Sequence, residues 1–186
     1  MIDAESSLID VAFEACSALD RAGIVAVLCG GSAASYYCAE YQSLDADFVL
    51  RLDTSERAVN AALVEIGYRR GVSNVYSHHA SRFTIEFPAG PLAIGRKIVQ
   101  TWLTVNRREL LLHVISAEDS VCDRFLHYWA WHDRSARAIA LEVARVVPNL
   151  DAGAIAAWAA GEMAADSSYD PAAWVAFEAD LLEPMR

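Results

Sequence analysis

Apolar positions recur along the chain with two different periods, and the change of period divides it. Leu8, Ala12, Ala15 and Leu19 fall at helical spacing, which predicts a helix over 5–22 that Gly23 ends. "IVAVLC", residues 24–29, is short, apolar and β-branched, and reads as a buried strand. Gly30-Gly31-Ser32 interrupts it, with Ser32 placed to cap a helix over 33–41. "DADFVLRL" opens a second strand at Asp45. Thr54 or Ser55 then caps a helix over 56–66, stopped by Gly67. "RFTIEF", 82–87, alternates polar with apolar and reads as a third strand. "PAGPLAIG" reads as a loop, and 98–105 with 109–115 as a hairpin around Asn106-Arg107.

After Ser116 the period becomes helical throughout. Ser116 and Asp119 resemble a capping box, with Asp in place of the usual Glu. Helices are predicted over 117–131 and 134–146, before the break at Pro148. Asp151 caps another to about 164, and Asp170-Pro171 opens a last one. The fold class is therefore α+β: a small mixed β-sheet with helices on one face, then a C-terminal helical segment. Residues 1–115 form the α/β core and 116–186 a helical region packed on it.

Two carboxylates disturb this picture. Asp45 and Asp47 lie two apart in a strand and so share a face, while Ala46, Phe48 and Leu50 point the other way. Carboxylates held that close raise each other's pKa unless a cation sits between them. A hard divalent ion, Mg²⁺ or Mn²⁺, takes such oxygens and completes its shell with substrate phosphates and water. In the third strand Phe83, Ile85 and Phe87 make the apolar face, leaving Glu86 beside Thr84 on the other. If that strand neighbours "DADFVL", Glu86 completes a three-carboxylate cluster. Glycines at 30 and 31 admit a ligand close to the backbone, and a serine at a helix N-terminus is a seat for phosphate.

Composition narrows the partners. The net charge of −10 excludes a general nucleic-acid coat protein, because backbone phosphates need clustered cations. The cations are arginines except for Lys97, and several come in pairs: Arg69-Arg70, Arg96-Lys97 and Arg107-Arg108. No apolar run approaches the roughly 20 residues that span a bilayer. The start, "MIDAESSLID", is acidic and unlike a signal peptide. Cys16, Cys29, Cys38 and Cys122 are scattered, without a C-x-x-C pair, and read as reduced residues of a cytoplasmic protein rather than zinc ligands. His127, His132, Trp129, Trp131 and Trp158 read as packing residues or interface anchors.

Gly30-Gly31-Ser32, then Asp45-x-Asp47 on a strand, then Glu86, resembles the signature of the polymerase-β-type nucleotidyltransferase superfamily. More narrowly, the chain resembles the minimal nucleotidyltransferase-like proteins that include abortive-infection toxins of the AbiEii type. "VEIGY", "EFPAGPLAIG" and "SAEDSVCDRFLHYWAWHDRSARAIALEVA" are similar to segments of small bacterial members of that group. Those relatives carry Asp-x-x-x-x-Lys-Leu after the sheet, which Asp119–Phe125 matches with Arg124 in the lysine's place, and a later aspartate that Asp133 matches. The resemblance covers residues 22–145. It implies transfer of a nucleoside monophosphate from an NTP to an RNA, protein or small-molecule acceptor. Asp45, Asp47 and Glu86 are then catalytic and hold Mg²⁺ or Mn²⁺. Gly30, Gly31, Ser32, Arg124 and Asp133 bind the nucleotide. The alternative is an inactive descendant that works as a binding partner, as in a toxin–antitoxin pair.

Overall fold

The structure is a computed structural model that describes residues 2–51 and 53–183. Helix α1 (Leu8–Arg21) starts with a capping box: the Ser7 hydroxyl accepts from the Asp10 N–H at 3.1 Å, and the Asp10 carboxylate accepts from the Ser7 N–H at 2.9 Å. Gly23 turns the chain out of the helix with φ +72°, a conformation glycine takes without strain. Strand β1 (Ala26–Leu28) follows, buried throughout. Next come α2 (Gly30–Tyr37), β2 (Asp45–Leu50) and α3 (Glu56–Glu65). The remaining sheet strands are β3 (Arg69–Arg70), β4 (Tyr76–Ser77), β5 (Thr84–Glu86), β8 (Leu103–Arg107) and β9 (Leu110–Val114). Among the described residues, strands β6 (Ala93–Ile94) and β7 (Lys97–Ile98) pair only with each other, as a short hairpin between β5 and β8.

The seven strands of the main sheet run in the order β3-β4-β5-β2-β1-β9-β8. The sheet is mixed. β1 is antiparallel to β2 and parallel to β9, and β2 is parallel to β5. Its centre is apolar, with Ala26, Leu28, Ala46, Phe48 and Ile85 all fully buried. α1 packs on β1, β2 and β9 and against α3. The helices after the sheet are α4 (Ala117–Trp131), α5 (Arg134–Val146), α6 (Ala152–Ala165) and α7 (Pro171–Leu182). Asp133, Asp151 and Asp170 each accept a backbone N–H at the start of α5, α6 and α7. α4, α6 and α7 meet in an aromatic cluster in which Phe125 stacks on Phe177 at 4.1 Å and Trp129 and Trp174 pack around them. α4 also packs on α2, which brings the helical segment against the sheet region.

Details differ from the sequence reading. α2 begins at Gly30, not after Ser32, and Cys29 occupies its N-cap position without a side-chain hydrogen bond. The Ser32 hydroxyl has a tertiary partner instead of a capping one. The Asn106-Arg107 turn lies two residues later, where Arg108 has φ +56°, because the strands stay paired through Arg107 and Leu110. The loop "PAGPLAIG" ends in β6. No helix among the described residues is long and apolar enough to cross a membrane.

Candidate active site

The strand register assembles the acids. In the parallel β2–β5 pair Asp45 stands opposite Thr84 and Asp47 opposite Glu86. Asp45, Asp47 and Glu86 then offer carboxylate oxygens that all lie within 4.8 Å of one another. Each is partly buried. Burial, reinforced by the charges of Asp45 and Glu86, pushes the Asp47 carboxyl up to about 7, and the Arg124 guanidinium opposes that rise. The Ser43 hydroxyl donates to Asp45 Oδ1 at 3.3 Å.

Asp45 and Asp47 line a cleft of about 430 Å³. Its other walls are the start of α2, the 88–94 segment leading into β6, and α4 through Asp123, Arg124 and His127. Gly30 and Gly31 line it too, and both leave space that a side chain would fill. A Cβ on Gly30, whose φ is +62°, would stand 3.0 Å from Asp47 Oδ2. One on Gly31 would meet the Tyr41 hydroxyl at 2.9 Å and the Arg124 guanidinium at 3.7 Å. The glycines thus let the α2 N-terminus approach both the acids and the cation.

Ser32 lies behind this surface rather than on it. It is fully buried; its hydroxyl donates to the Cys29 carbonyl at 2.7 Å and accepts from the Asp47 N–H at 3.0 Å. With the Cys29 N–H donating to the Asp47 carbonyl at 3.0 Å, it ties the Gly-Gly turn to the acid strand. This replaces the phosphate contact expected of its hydroxyl. Arg124 is 9% exposed and donates twice to Asp123 Oδ2, at 2.6 and 3.0 Å. Asp119 pairs with Lys97 at 2.6 Å, so the capping box at Ser116 is half made: the Ser116 hydroxyl accepts from the Asp119 N–H, and the Asp119 carboxylate points elsewhere. Asp133 is an exposed N-cap that accepts from the Ser135 and Ala136 N–H groups. Its charge nevertheless reaches His127 on the cleft wall.

His127 is half-buried and faces the cleft, and burial, then Arg124, holds its pKa below the usual histidine value. Cys29 also faces the cleft, but burial followed by the charges of Asp123 and Asp47 drives its thiol far above the usual range, so it is no nucleophile. Tyr41, Ser43 and His127 had no distinguishing pattern in the sequence. Asp123 had one, as a neighbour of Arg124.

No protein-family model and no curated protein matches the sequence. Among solved structures, an antigenic nucleotidyltransferase-like protein from Paracoccidioides brasiliensis superposes with a TM-score of 0.60 at 13% identity, over 89% of this chain and 91% of that one. A weaker match, to the antibiotic-resistance factor ANT(2'')-Ia, has a TM-score of 0.44 at 13% identity over 85% of this chain and 95% of that one. The fold of this chain is nucleotidyltransferase-like.

Proposed function

We propose that the protein is a divalent-metal-dependent nucleotidyltransferase that moves a nucleoside monophosphate from an NTP to an acceptor hydroxyl. The observation that carries this reading is the cluster of Asp45, Asp47 and Glu86, with oxygens within 4.8 Å, at a cleft whose facing helix supplies Arg124. The nucleotidyltransferase-like fold supports it.

The donor set fits Mg²⁺ or Mn²⁺: three carboxylates, all oxygen, one of them, Asp47, raised by burial and its acidic neighbours to about 7, a rise that a cation would oppose. Asp45, Asp47 and Glu86 would hold the ion, which supplies Lewis-acid neutralisation of the phosphates and of the attacking oxygen. Gly30 and Gly31 leave the triphosphate room at the start of α2. Arg124, oriented by Asp123, offsets charge on the phosphates as pyrophosphate departs. The acceptor oxygen forms the new bond to the α-phosphorus and the α–β bridge breaks, its electron pair leaving with pyrophosphate. Glu86 takes the acceptor proton. The net charge of −10 favours an acceptor gripped locally over one gripped along a phosphate backbone. The resemblance of the sequence motifs to AbiEii-type toxins makes a tRNA end or a protein hydroxyl the first acceptors to try.

One observation favours the non-catalytic alternative, in which the protein is a binding partner. Arg124 stands where the resembled family has lysine, and Asp123 already engages it. Incubation with each α-labelled NTP, Mg²⁺ or Mn²⁺ and a cell extract separates the two readings. A metal-dependent labelled product that Asp45→Asn abolishes is the expected result; no labelled species with any NTP leaves the binding-partner reading.

A further inference from the structure

The tryptophans of α4 have opposite fates. Trp129 is 6% exposed and packed in the aromatic cluster, whereas Trp131 is 67% exposed. Trp158 and Trp174 are buried like Trp129. An indole left in water at the last turn of a helix gives up a large burial gain, so its surroundings are informative.

Those surroundings point to the cleft. The Trp131 ring lies against His127, edge to face, with centroids 4.7 Å apart. His127 lines the cleft together with Arg124. Arg124, His127 and Trp131 follow one another at i, i+3 and i+7, so they form a single stripe along α4. The stripe runs from a guanidinium beside the acid cluster, through an imidazole, to an exposed indole. Seven residues of helix rise about 10 Å, a span suited to a ligand with phosphates at one end and a flat aromatic ring at the other. The rim is held in place. His132 ends α4 in the left-handed conformation, and Asp133 starts α5 at once through its cap hydrogen bonds.

We propose that Trp131, which stands outside the cleft's lining against the lining residue His127, is a nucleobase-stacking platform at the cleft's rim, an inference that rests on the nucleotidyltransferase reading. Every base has a π-face, so stacking on one indole grips the NTP whatever its base. Base–aromatic stacking is worth enough to alter affinity about ten- to hundredfold.

The test measures binding to the full chain in Mg²⁺, with non-hydrolysable NTPs carrying each of the four bases and with inorganic tripolyphosphate as the base-free probe. Wild type, Trp131→Ala and Trp131→Phe are compared, with circular dichroism to verify the fold. The expected result is a loss of about ten- to hundredfold for every NTP in Trp131→Ala, unchanged tripolyphosphate binding, and near-normal NTP binding in Trp131→Phe. NTP should also quench tryptophan emission in wild type and not in Trp131→Phe. The platform is overturned if Trp131→Ala binds NTPs as wild type does, if it loses NTP and tripolyphosphate equally, or if it changes only the oligomeric state. A wild type that binds neither probe overturns the nucleotidyltransferase reading, and the platform with it.

Discussion

Asp47 is the residue at which the site's chemistry conflicts most with stability. Its carboxyl is pushed up to about 7 by burial and by Asp45 and Glu86, whereas in the unfolded chain it ionises near 3.8. Between those two values the unfolded chain has released the proton and the folded chain still holds it. The contribution of Asp47 is therefore intact below about pH 4 and is lost as pH rises towards 7, at about 1.4 kcal/mol per pH unit for a single fully coupled group. Lowered groups such as Asp10 and Asp133 act with the opposite sign, so the decisive quantity is the difference between wild type and Asp47→Asn. Without metal, the variant should gain stability relative to wild type across that window and hold the gain above it. Denaturant melts from pH 4 to 8 measure this; a constant difference would mean that Asp47 ionises normally. The acid pair was legible because period-2 spacing fixes which strand residues share a face. The part played by Ser32 was not, since its hydroxyl meets the Asp47 N–H only after the fold has brought α2 onto β2. Nor was the exposure of Trp131. "YWAW" sets two indoles two positions apart, about 200° around a helix, and the sequence does not say which of them faces the core.

At the scale of elements, the hairpin of β6 and β7 links the cleft to the C-terminal helices. Ala93 and Ile94 line the cleft, and the adjoining turn is held from α6. The Arg96 N–H donates to Glu162 Oε1 at 2.8 Å, and Trp158 Nε1 donates to the Ile94 carbonyl at 3.2 Å. Glu162 is 3% exposed, and its carboxylate sits where a Cβ on Gly95, at φ +60°, would be, within 2.5–2.8 Å. From α4, Asp119 pairs with Lys97. Glu162→Ala leaves the Arg96 N–H without its partner and opens a gap beside Gly95. It should cost about 1–3 kcal/mol and weaken NTP binding through the displaced wall. Glu162→Gln keeps an acceptor oxygen and should recover most of both. Melting curves and NTP titrations of the two variants check this; normal NTP affinity in a destabilised Glu162→Ala would detach the hairpin from the cleft. The helices after Ser116 were legible from their caps and period. The hairpin was not, because "PAGPLAIG" carries the residues of a loop and each strand is two residues long, too short to show alternation. β3 and β4 escaped for the same reason.

For the whole molecule the consequence is a coupling between ligand and fold. The chain carries a net charge of −10, and three of its acids converge on one point with oxygens within 4.8 Å. Without a cation that convergence is repulsive, and the cleft joins elements distant in sequence: the start of α2, β2, the hairpin and α4, with Glu86 of β5 beside Asp45 and Asp47. A ligand that bridges them binds the folded chain and not the unfolded one, so it stabilises by mass action. At a hundredfold excess over the dissociation constant the gain is about 2.7 kcal/mol, which raises the melting temperature of a chain this long by about 5–10 °C. Mg²⁺ or Mn²⁺ with NTP should produce that shift in wild type. Asp47→Asn should start from a higher melting temperature without ligand and show almost no shift, because the neutral amide removes both the repulsion and the metal's anionic ligand. Opposite effects of one substitution on stability and on ligand response mark a site whose strain serves its ligand. A structural carboxylate behaves the other way: Asp47→Asn would lower the ligand-free melting temperature, and wild type would ignore every combination of metal and NTP. Thermal scans of both proteins across Mg²⁺, Mn²⁺ and the four NTPs distinguish the two patterns, and the structural pattern would turn the cleft's acids into a relic of a catalytic ancestor.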